Sequence, residues 1–103
     1  MYSIEKICSV IKGSFIQFHN DYEINYLVYD SRKIQQASKC VFFAIRSSHN
    51  DGHKFIGDAY HKGVRNFVVS SKHSYDNLKD SNIIIVQDVI AALQDTARYH
   101  REQ

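Results

Sequence analysis

The chain has 103 residues, of which 44% are hydrophobic, and this size and apolar content suit one compact domain with a modest core. Thirteen Lys and Arg residues against eleven Asp and Glu residues leave a formal net charge of +2, and these charges are dispersed. Dispersed charge gives little support for a nucleic-acid or membrane partner. The sequence contains no repeat or linker that would divide it into two domains.

The two cysteines and the N-terminus indicate where the protein works. Cys8 and Cys40 lack the spacing of a metal or redox motif, and both lie in apolar stretches where a buried, reduced thiol is usual. The N-terminus lacks the apolar region of a signal peptide, and no apolar run approaches the roughly 20 residues that span a bilayer. We therefore expect a soluble, cytoplasmic protein with no membrane partner.

A short amphipathic helix is the first predicted element. Ser3 is placed to cap its N-terminus and Gly13 to end it. Between them, four residues follow the i, i+3, i+4, i+7 spacing of one buried stripe. These residues are Ile4, Ile7, Cys8 and Ile11.

Two strands are predicted next, over residues 14–18 and 24–29, because apolar, β-branched and aromatic residues concentrate there. The polar sequence His19-Asn20-Asp21 between them predicts the turn of an antiparallel hairpin. The second strand leads directly into Asp30-Ser31-Arg32.

Strands and helices alternate in the second half of the chain. Residues 40–45 form a continuous apolar run, typical of a strand that is covered on both faces. Asp51 is placed to cap the following helix and Gly63 to end it. The predicted inward face of this helix consists of Phe55, Ile56, Ala59 and Tyr60.

Two further strands and a helix complete the predicted order. Residues 66–69 and 83–86 predict buried strands, and the polar segment 70–82 between them predicts no regular element beyond one helical turn at 75–78. Asp88 is placed to cap the last helix. Its expected inward residues are Val89, Leu93 and Ala97, with Arg98 and Arg101 near its negative C-terminal end.

This order predicts an α/β fold with a mixed, largely parallel sheet that is flanked by helices and extended by the opening hairpin. Ligands of such folds bind beyond the carboxyl ends of the central strands. The segments 30–32 and 47–51 both emerge there, so we expect these two loops to form one site.

Five segments that span nearly the whole chain occur in a distinctive order and spacing. They are Asp30-Ser31-Arg32, Val41-Phe42-Phe43-Ala44, Asn50-Asp51-Gly52-His53-Lys54-Phe55-Ile56, Gly63-Val64-Arg65-Asn66-Phe67-Val68-Val69, and Val86-Gln87-Asp88 followed by Ala91-Ala92-Leu93. Together they resemble the N-terminal domain of the Mur ligases, which add amino acids to UDP-N-acetylmuramic acid during peptidoglycan synthesis.

Within that family, residues 42–45, 50–54 and 63–69 most resemble the ligase that adds D-alanyl-D-alanine to UDP-N-acetylmuramoyl-tripeptide, particularly forms fused to an alanine racemase. The alternative within the family is the preceding ligase, which adds the third peptide residue and shares the Asp-Ser-Arg and Asp-Gly motifs. The other alternative, from a different class, is a non-enzymatic interaction or nucleic-acid-binding module.

The resemblance implies three domains: the first holds the uridine nucleotide, the second binds ATP and magnesium, and the third brings the incoming amine. Residues 1–103 match the first alone, and the phosphate-loop pattern Gly-x-x-x-x-Gly-Lys-Ser/Thr is absent. We expect an excised domain that ends just before the ATPase, needs no cofactor and hydrolyses no ATP. Its expected partners are a UDP-N-acetylmuramoyl-peptide and the ATPase and C-terminal domains of its own chain.

The resemblance also implies the site residues. The family's nucleotide contacts fall on Tyr29, Ser31, Ser48, His49 and Asn50. Hydroxyl and amide groups offer donors and acceptors to a uracil edge or ribose, and an aromatic ring can pack on a base. No residue is expected to be catalytic or to bind a metal. The residues expected to shape the two loops are Asp30, Arg32, Asp51 and Gly52.

Three other interpretations are weaker. The string His49-x-Asp51-x-His53 has metal-binding residue types, but alternate loop residues rarely converge on a metal without a further ligand, and Asp51 has a capping role. Ser31 lacks the Gly-x-Ser-x-Gly elbow of a hydrolase. The thirteen Tyr and Phe residues mostly fall in predicted core, without an RNA-binding motif.

Overall fold

The computed structural model describes residues 2–46, 51–71 and 75–103. The strands are β1 (Tyr2–Ser3), β2 (Ser14–Gln17), β3 (Glu23–Ile24), β4 (Tyr26–Val28), β5 (Cys40–Phe43), β6 (Asn66–Val69) and β7 (Asn82–Ile85). The helices are α1 (Ile4–Val10), α2 (Ile56–His61) and α3 (Val89–Arg101). Short 3₁₀ turns cover Ser31–Lys33, Ala37–Lys39 and Gly52–Phe55.

A five-stranded sheet in the order β2-β7-β6-β5-β4 forms the centre of the fold. Strands β4, β5, β6 and β7 run parallel to one another, and in this sheet only β2 is antiparallel, paired with β7. A separate pair joins β1 to β3. The mixed, largely parallel α/β architecture expected from the sequence is therefore confirmed.

The hairpin predicted over residues 14–29 is wrong, because its two strands lie at opposite edges of the sheet. The buried side chain of Asn82 explains the difference. Its Oδ1 accepts hydrogen bonds from the backbone N–H groups of His19 and Asn20 at 2.6 and 3.2 Å, and its Nδ2 donates to the Asn20 carbonyl at 2.6 Å. The expected turn residues are thus held beside β7, and the chain continues through β3 to the far edge.

Both faces of the sheet are covered, which explains the continuous apolar runs of β5 and β6. Helices α1 and α3 pack on one face, and α2 together with Tyr75 and Leu78 packs on the other. The largest side chains of this core are fully buried, among them Phe42, Phe43 and Phe67. No helix in the described ranges combines the length and apolarity needed to cross a membrane.

Helix α1 has the predicted cap and buried stripe, but its end differs in one respect. Ser3 accepts a hydrogen bond from the Lys6 N–H at 3.1 Å. At the other end the left-handed residue is Lys12, with φ 55°, and the Gly13 N–H donates to the Cys8 carbonyl at 3.0 Å. Gly13 is required for a different reason: a Cβ there would lie 2.4 Å from Cγ2 of Ile84.

Two predicted helix faces are shifted. In α3 the buried residues are Val89, Ala92 and Thr96, whereas Leu93 and Ala97 are only half-buried. Thr96 is tolerated inside because its hydroxyl donates to the Ala92 carbonyl at 2.9 Å. Phe55 ends the 3₁₀ turn before α2 and is 38% exposed, so it does not join that helix's inward face as predicted.

Gly13→Ala tests the close approach of α1 to the sheet. We expect it to lower the free energy of unfolding by about 1–3 kcal/mol, because the added methyl group overlaps the buried Ile84 side chain. Gly57→Ala is the matched control: apart from its chain neighbours and the backbone of its own helix, no atom lies within 4 Å of an added Cβ, and alanine in a helix should raise stability by about 0.5–1 kcal/mol. Urea unfolding measures both. Equal effects of the two substitutions would contradict the packing role of Gly13.

Candidate functional site

The two loops singled out in the sequence border one cleft. β4 and β5 are parallel neighbours, with Val28 opposite Phe42. The segments that follow them therefore leave the sheet at the same end, beyond the carboxyl ends of the strands. Between these segments lies a cleft of about 500 Å³. Its lining residues are Tyr29, Asp30, Ser31, Arg32, Ile45, Gly52 and Phe55.

Asp30 organises the first wall of the cleft. Its Oδ1 accepts hydrogen bonds from the backbone N–H and the Nε of Arg32 at 2.9 and 3.0 Å, and its Oδ2 accepts one from Nη2 at 2.9 Å. These bonds lower the pKa of Asp30 to about 2. The carboxylate therefore caps the 3₁₀ turn and holds the guanidinium in a two-pronged pair.

Ser31 lies in the same wall but is only 4% exposed. Its hydroxyl donates to the Asp58 carboxylate, which is the main reason that the pKa of Asp58 is lowered. Its carbonyl accepts a hydrogen bond from the Lys62 ammonium at 2.7 Å. Ser31 thus fastens the first wall to helix α2, in addition to lining the cleft.

The second wall depends on a close backbone approach at Gly52. Its N–H donates to the Ile45 carbonyl at 2.6 Å, and a Cβ at this position would lie 2.6 Å from the Ile45 nitrogen. Only glycine fits this contact. Next to it, Arg46 and Asp51 form an antiparallel bridge and a salt bridge of 3.2 Å that close the base of the loop.

Asp51 caps the 3₁₀ turn that begins at Gly52, as Asp30 caps the turn in the first wall. Its Oδ1 accepts a hydrogen bond from the His53 backbone N–H at 3.0 Å and lies 2.6 Å from the His53 Nδ1. The His53 backbone N–H is the main cause of a lowered pKa of about 2 at Asp51. Asp51 is thus held ionised behind the cleft wall.

Of the five predicted nucleotide contacts, two lie in the cleft. Tyr29 is 62% exposed at the mouth, and Ser31 lies deeper in the wall. Ser48, His49 and Asn50 lie outside the described residues. All four residues predicted to shape the loops make hydrogen bonds within the loops or at their base. They are Asp30, Arg32, Asp51 and Gly52.

Two cleft residues were missed from the sequence. The sequence predicts Ile45 at the end of a buried strand and Phe55 on the inward face of α2. The signal for Phe55 was the position of Asp51, since a capped turn of four residues ends at Phe55 and presents it before the helix begins. In the described ranges no group of three His, Cys, Asp or Glu side chains is arranged to hold a metal; His49 lies outside them.

Arg32→Gln tests the electrostatics of the first wall. We expect the titration midpoint of the Asp30 carboxyl to rise from about 2 toward its ordinary value of 3.8, because the two side-chain hydrogen bonds are lost. Carboxyl ¹³C NMR measures the midpoint. Lys33→Gln, which removes only a neighbouring charge, should cause a smaller change.

The sign of the effect on stability follows from the lowered pKa. Folding favours ionised Asp30, so its contribution is complete above the unfolded value of about 3.9 and is lost as the pH falls toward 2. The Arg32→Gln variant should therefore lose less stability than the unmodified chain between pH 4 and pH 2. An unchanged Asp30 midpoint in this variant would exclude the Arg32 pair as its cause.

Comparison with known proteins places the chain in a family. No protein-family model matches it. It is 34% identical over 73 residues to a UDP-N-acetylmuramoyl-L-alanyl-D-glutamate--2,6-diaminopimelate ligase of Cytophaga hutchinsonii, covering 71% of this chain and 15% of that protein. It is also 34% identical over 97 residues to a UDP-N-acetylmuramoyl-tripeptide--D-alanyl-D-alanine ligase of Rickettsia prowazekii, covering 94% of this chain and 20% of the relative.

The fold agrees with these sequence matches. The crystal structure of MurF from Acinetobacter baumannii superposes with a TM-score of 0.80 at 22% identity, over 99% of this chain and 21% of that one. The chain therefore spans between 15% and 21% of the length of these proteins. By its sequence relatives and its fold, the chain belongs to the Mur ligase family, in which it corresponds to the N-terminal domain.

Proposed function

We propose that this chain is the uridine-nucleotide-binding domain of a peptidoglycan-synthesis ligase. The ligase adds D-alanyl-D-alanine to UDP-N-acetylmuramoyl-tripeptide with ATP, and residues 1–103 bind the uridine nucleotide part of that substrate without catalysing a reaction alone. The observation that carries the proposal is the cleft between the two motif-bearing loops, at the edge of the sheet where α/β folds hold ligands.

The chemistry of the cleft suits a nucleoside diphosphate. The exposed rings of Tyr29 and Phe55 offer apolar faces on which a base can stack. Arg32 is the only basic side chain among the described lining residues, and its exposed guanidinium supplies positive charge for a diphosphate. The backbone N–H groups of the second loop are expected to contribute to diphosphate binding as well.

Two observations bear on which ligase carries this domain. The D-alanyl-D-alanine ligase of Rickettsia prowazekii matches 94% of the chain, which favours the tripeptide substrate. The second candidate is the ligase that adds the third peptide residue, favoured by the match to the diaminopimelate ligase of Cytophaga hutchinsonii. Full-length enzyme assayed with UDP-N-acetylmuramoyl-tripeptide plus D-alanyl-D-alanine, and with the UDP-linked dipeptide plus diaminopimelate, separates the two.

The rest of the proposal concerns the whole enzyme. ATP and magnesium belong to a second domain, and the incoming amine to a third, because the chain spans a fifth or less of the matched ligases and lacks a phosphate loop. The proposed location is the cytoplasm, which agrees with two buried cysteines that form no disulfide. The proposed substrate is a UDP-N-acetylmuramoyl-peptide, rather than a nucleic acid or a membrane.

Titration with UDP, followed by NMR, tests the cleft. We expect shifts at Tyr29, Ser31 and Gly52, and a loss of affinity of roughly 5- to 150-fold in Tyr29→Ala, the range that corresponds to one lost stacking contact of about 1–3 kcal/mol. Phe18→Ala is the matched control, since Phe18 is also an exposed aromatic residue and follows β2 at the opposite edge of the sheet. Silence with UDP together with salt-sensitive shifts on adding RNA would contradict the proposal.

Ser31→Ala tests whether the Ser31 hydroxyl contacts the nucleotide. We expect weaker UDP binding in a folded domain, by about 2- to 10-fold for one lost hydrogen bond. Because this hydroxyl also donates to Asp58, Asp58→Ala serves as the control: it removes that partner outside the cleft lining. Equal loss of UDP affinity in the two variants would assign Ser31 a purely structural role.

A further inference from the structure

His53 is the one residue of the Asp-Gly-His motif for which neither the sequence nor the proposed function supplies a role. Its side chain is only 9% exposed, and both ring nitrogens have partners. Nδ1 lies 2.6 Å from Oδ1 of Asp51, and Nε2 lies 3.2 Å from the backbone nitrogen of Ser70. The imidazole therefore spans the gap between the second cleft wall and the segment that follows β6.

The two partners fix the tautomer of the ring. A backbone N–H can only donate, so the Nε2 that faces Ser70 must be an unprotonated acceptor. An ionised carboxylate can only accept, so the Nδ1 that faces Asp51 must carry the proton. One neutral form, protonated at Nδ1, satisfies both contacts.

This arrangement excludes a catalytic dyad. In an Asp-His pair that activates a nucleophile, the Nε2 lone pair accepts the proton of a hydroxyl or thiol. Here that lone pair already accepts the Ser70 backbone N–H inside the protein, and the ring is almost fully covered. The pair is therefore built for holding two segments together.

Arg46 makes a second link between the same two segments. Its Nε donates to Oδ2 of Asp51 at 3.2 Å, and its Nη2 donates to the Ser71 hydroxyl at 3.1 Å. Arg46 and His53 thus both contact Asp51, and each also contacts the segment after β6: Arg46 at Ser71 and His53 at Ser70. The base of the second loop and the end of β6 are joined at two points, through one shared carboxylate.

The linked residues support the lining of the cleft directly. Gly52 lies between Asp51 and His53 in the chain, and its N–H contacts the Ile45 carbonyl at 2.6 Å. Gly52 and Ile45 both line the cleft. A displacement of the His53 ring would therefore be transmitted to that wall through a single residue.

We propose that His53 is a positioning residue for the cleft: its Nδ1-protonated imidazole connects Asp51 to the Ser70 backbone and thereby fixes the wall formed by Ile45 and Gly52. The effect on ligand affinity rests on the proposed nucleotide-binding function. The positioning itself is a property of the free protein. It follows that Ser70, 17 residues along the chain from His53 and not part of the cleft lining, takes part in setting the shape of the site.

Two substitutions of His53 separate its two contacts. His53→Asn keeps an N–H donor near the position of Nδ1 but removes the acceptor for Ser70. His53→Gln keeps an oxygen acceptor near the position of Nε2 but removes the donor to Asp51. His61→Asn and His61→Gln are the matched controls, because His61 is an exposed histidine at the end of α2.

The experiment uses the 103-residue chain and begins without a ligand. Imidazole ¹⁵N NMR of the unmodified protein should show the Nδ1-protonated neutral tautomer at His53, a signature that a merely buried histidine does not require. Amide hydrogen exchange should become roughly 5-fold faster at Ser70 in His53→Asn and remain slow in His53→Gln, as expected for one lost hydrogen bond of about 1 kcal/mol. The Gly52 amide resonance should shift in both variants, while both His61 controls leave it unchanged.

UDP titration of the same proteins then connects positioning to binding. We expect a 3- to 10-fold loss of affinity in each His53 variant and none in the His61 controls. An Nε2-protonated neutral ring in the unmodified protein, or Ser70 and Gly52 amides that respond no more to His53→Asn than to His61→Asn, overturns the positioning role. If those results hold but the unmodified chain does not bind UDP, the nucleotide function fails and the positioning role stands.

Discussion

The site depends on the parallel pairing of β4 with β5. Because Val28 lies opposite Phe42, the residues that follow each strand emerge at the same edge and face each other across one cleft. An antiparallel pairing of the same strands would send the two loops to opposite ends of the sheet. β5 can take this central place because its four residues are fully apolar and are covered on both faces.

A capping aspartate begins the turn or helix that follows three of the strands, β4, β5 and β7. Asp30, Asp51 and Asp88 each have extended backbone and accept a hydrogen bond from an N–H two or three residues later. At two of these positions the carboxylate also binds a side chain, Arg32 in one case and His53 in the other. The same residue type therefore starts a turn and holds a neighbouring side chain in each of the two cleft walls.

The cleft lies where the sequence predicts a site, but part of its surface is not predicted. The motif residues Tyr29, Asp30, Ser31, Arg32 and Gly52 lie in it because they immediately follow strand β4 or a capping Asp. Ile45 and Phe55 were assigned to the core, since an apolar residue near a strand or helix is buried more often than not. Ile45 lies in the cleft because Gly52 contacts its backbone closely, which no residue pattern predicts. Phe55 lies there because the turn capped by Asp51 ends at it.

The sequence by itself determined the elements and their local chemistry: the buried runs of β5 and β6, the capping aspartates, the α1 stripe and the family motifs. These follow from side-chain periodicity and from hydrogen bonds between residues close in the chain. Only the tertiary structure decided that β2 and β4 lie at opposite edges of the sheet. This depends on Asn82, which binds His19 and Asn20 although they lie 63 and 62 positions earlier in the chain. The tertiary structure also decided that His53 contacts the end of β6, since a contact between segments distant in the chain leaves no periodic trace in the sequence.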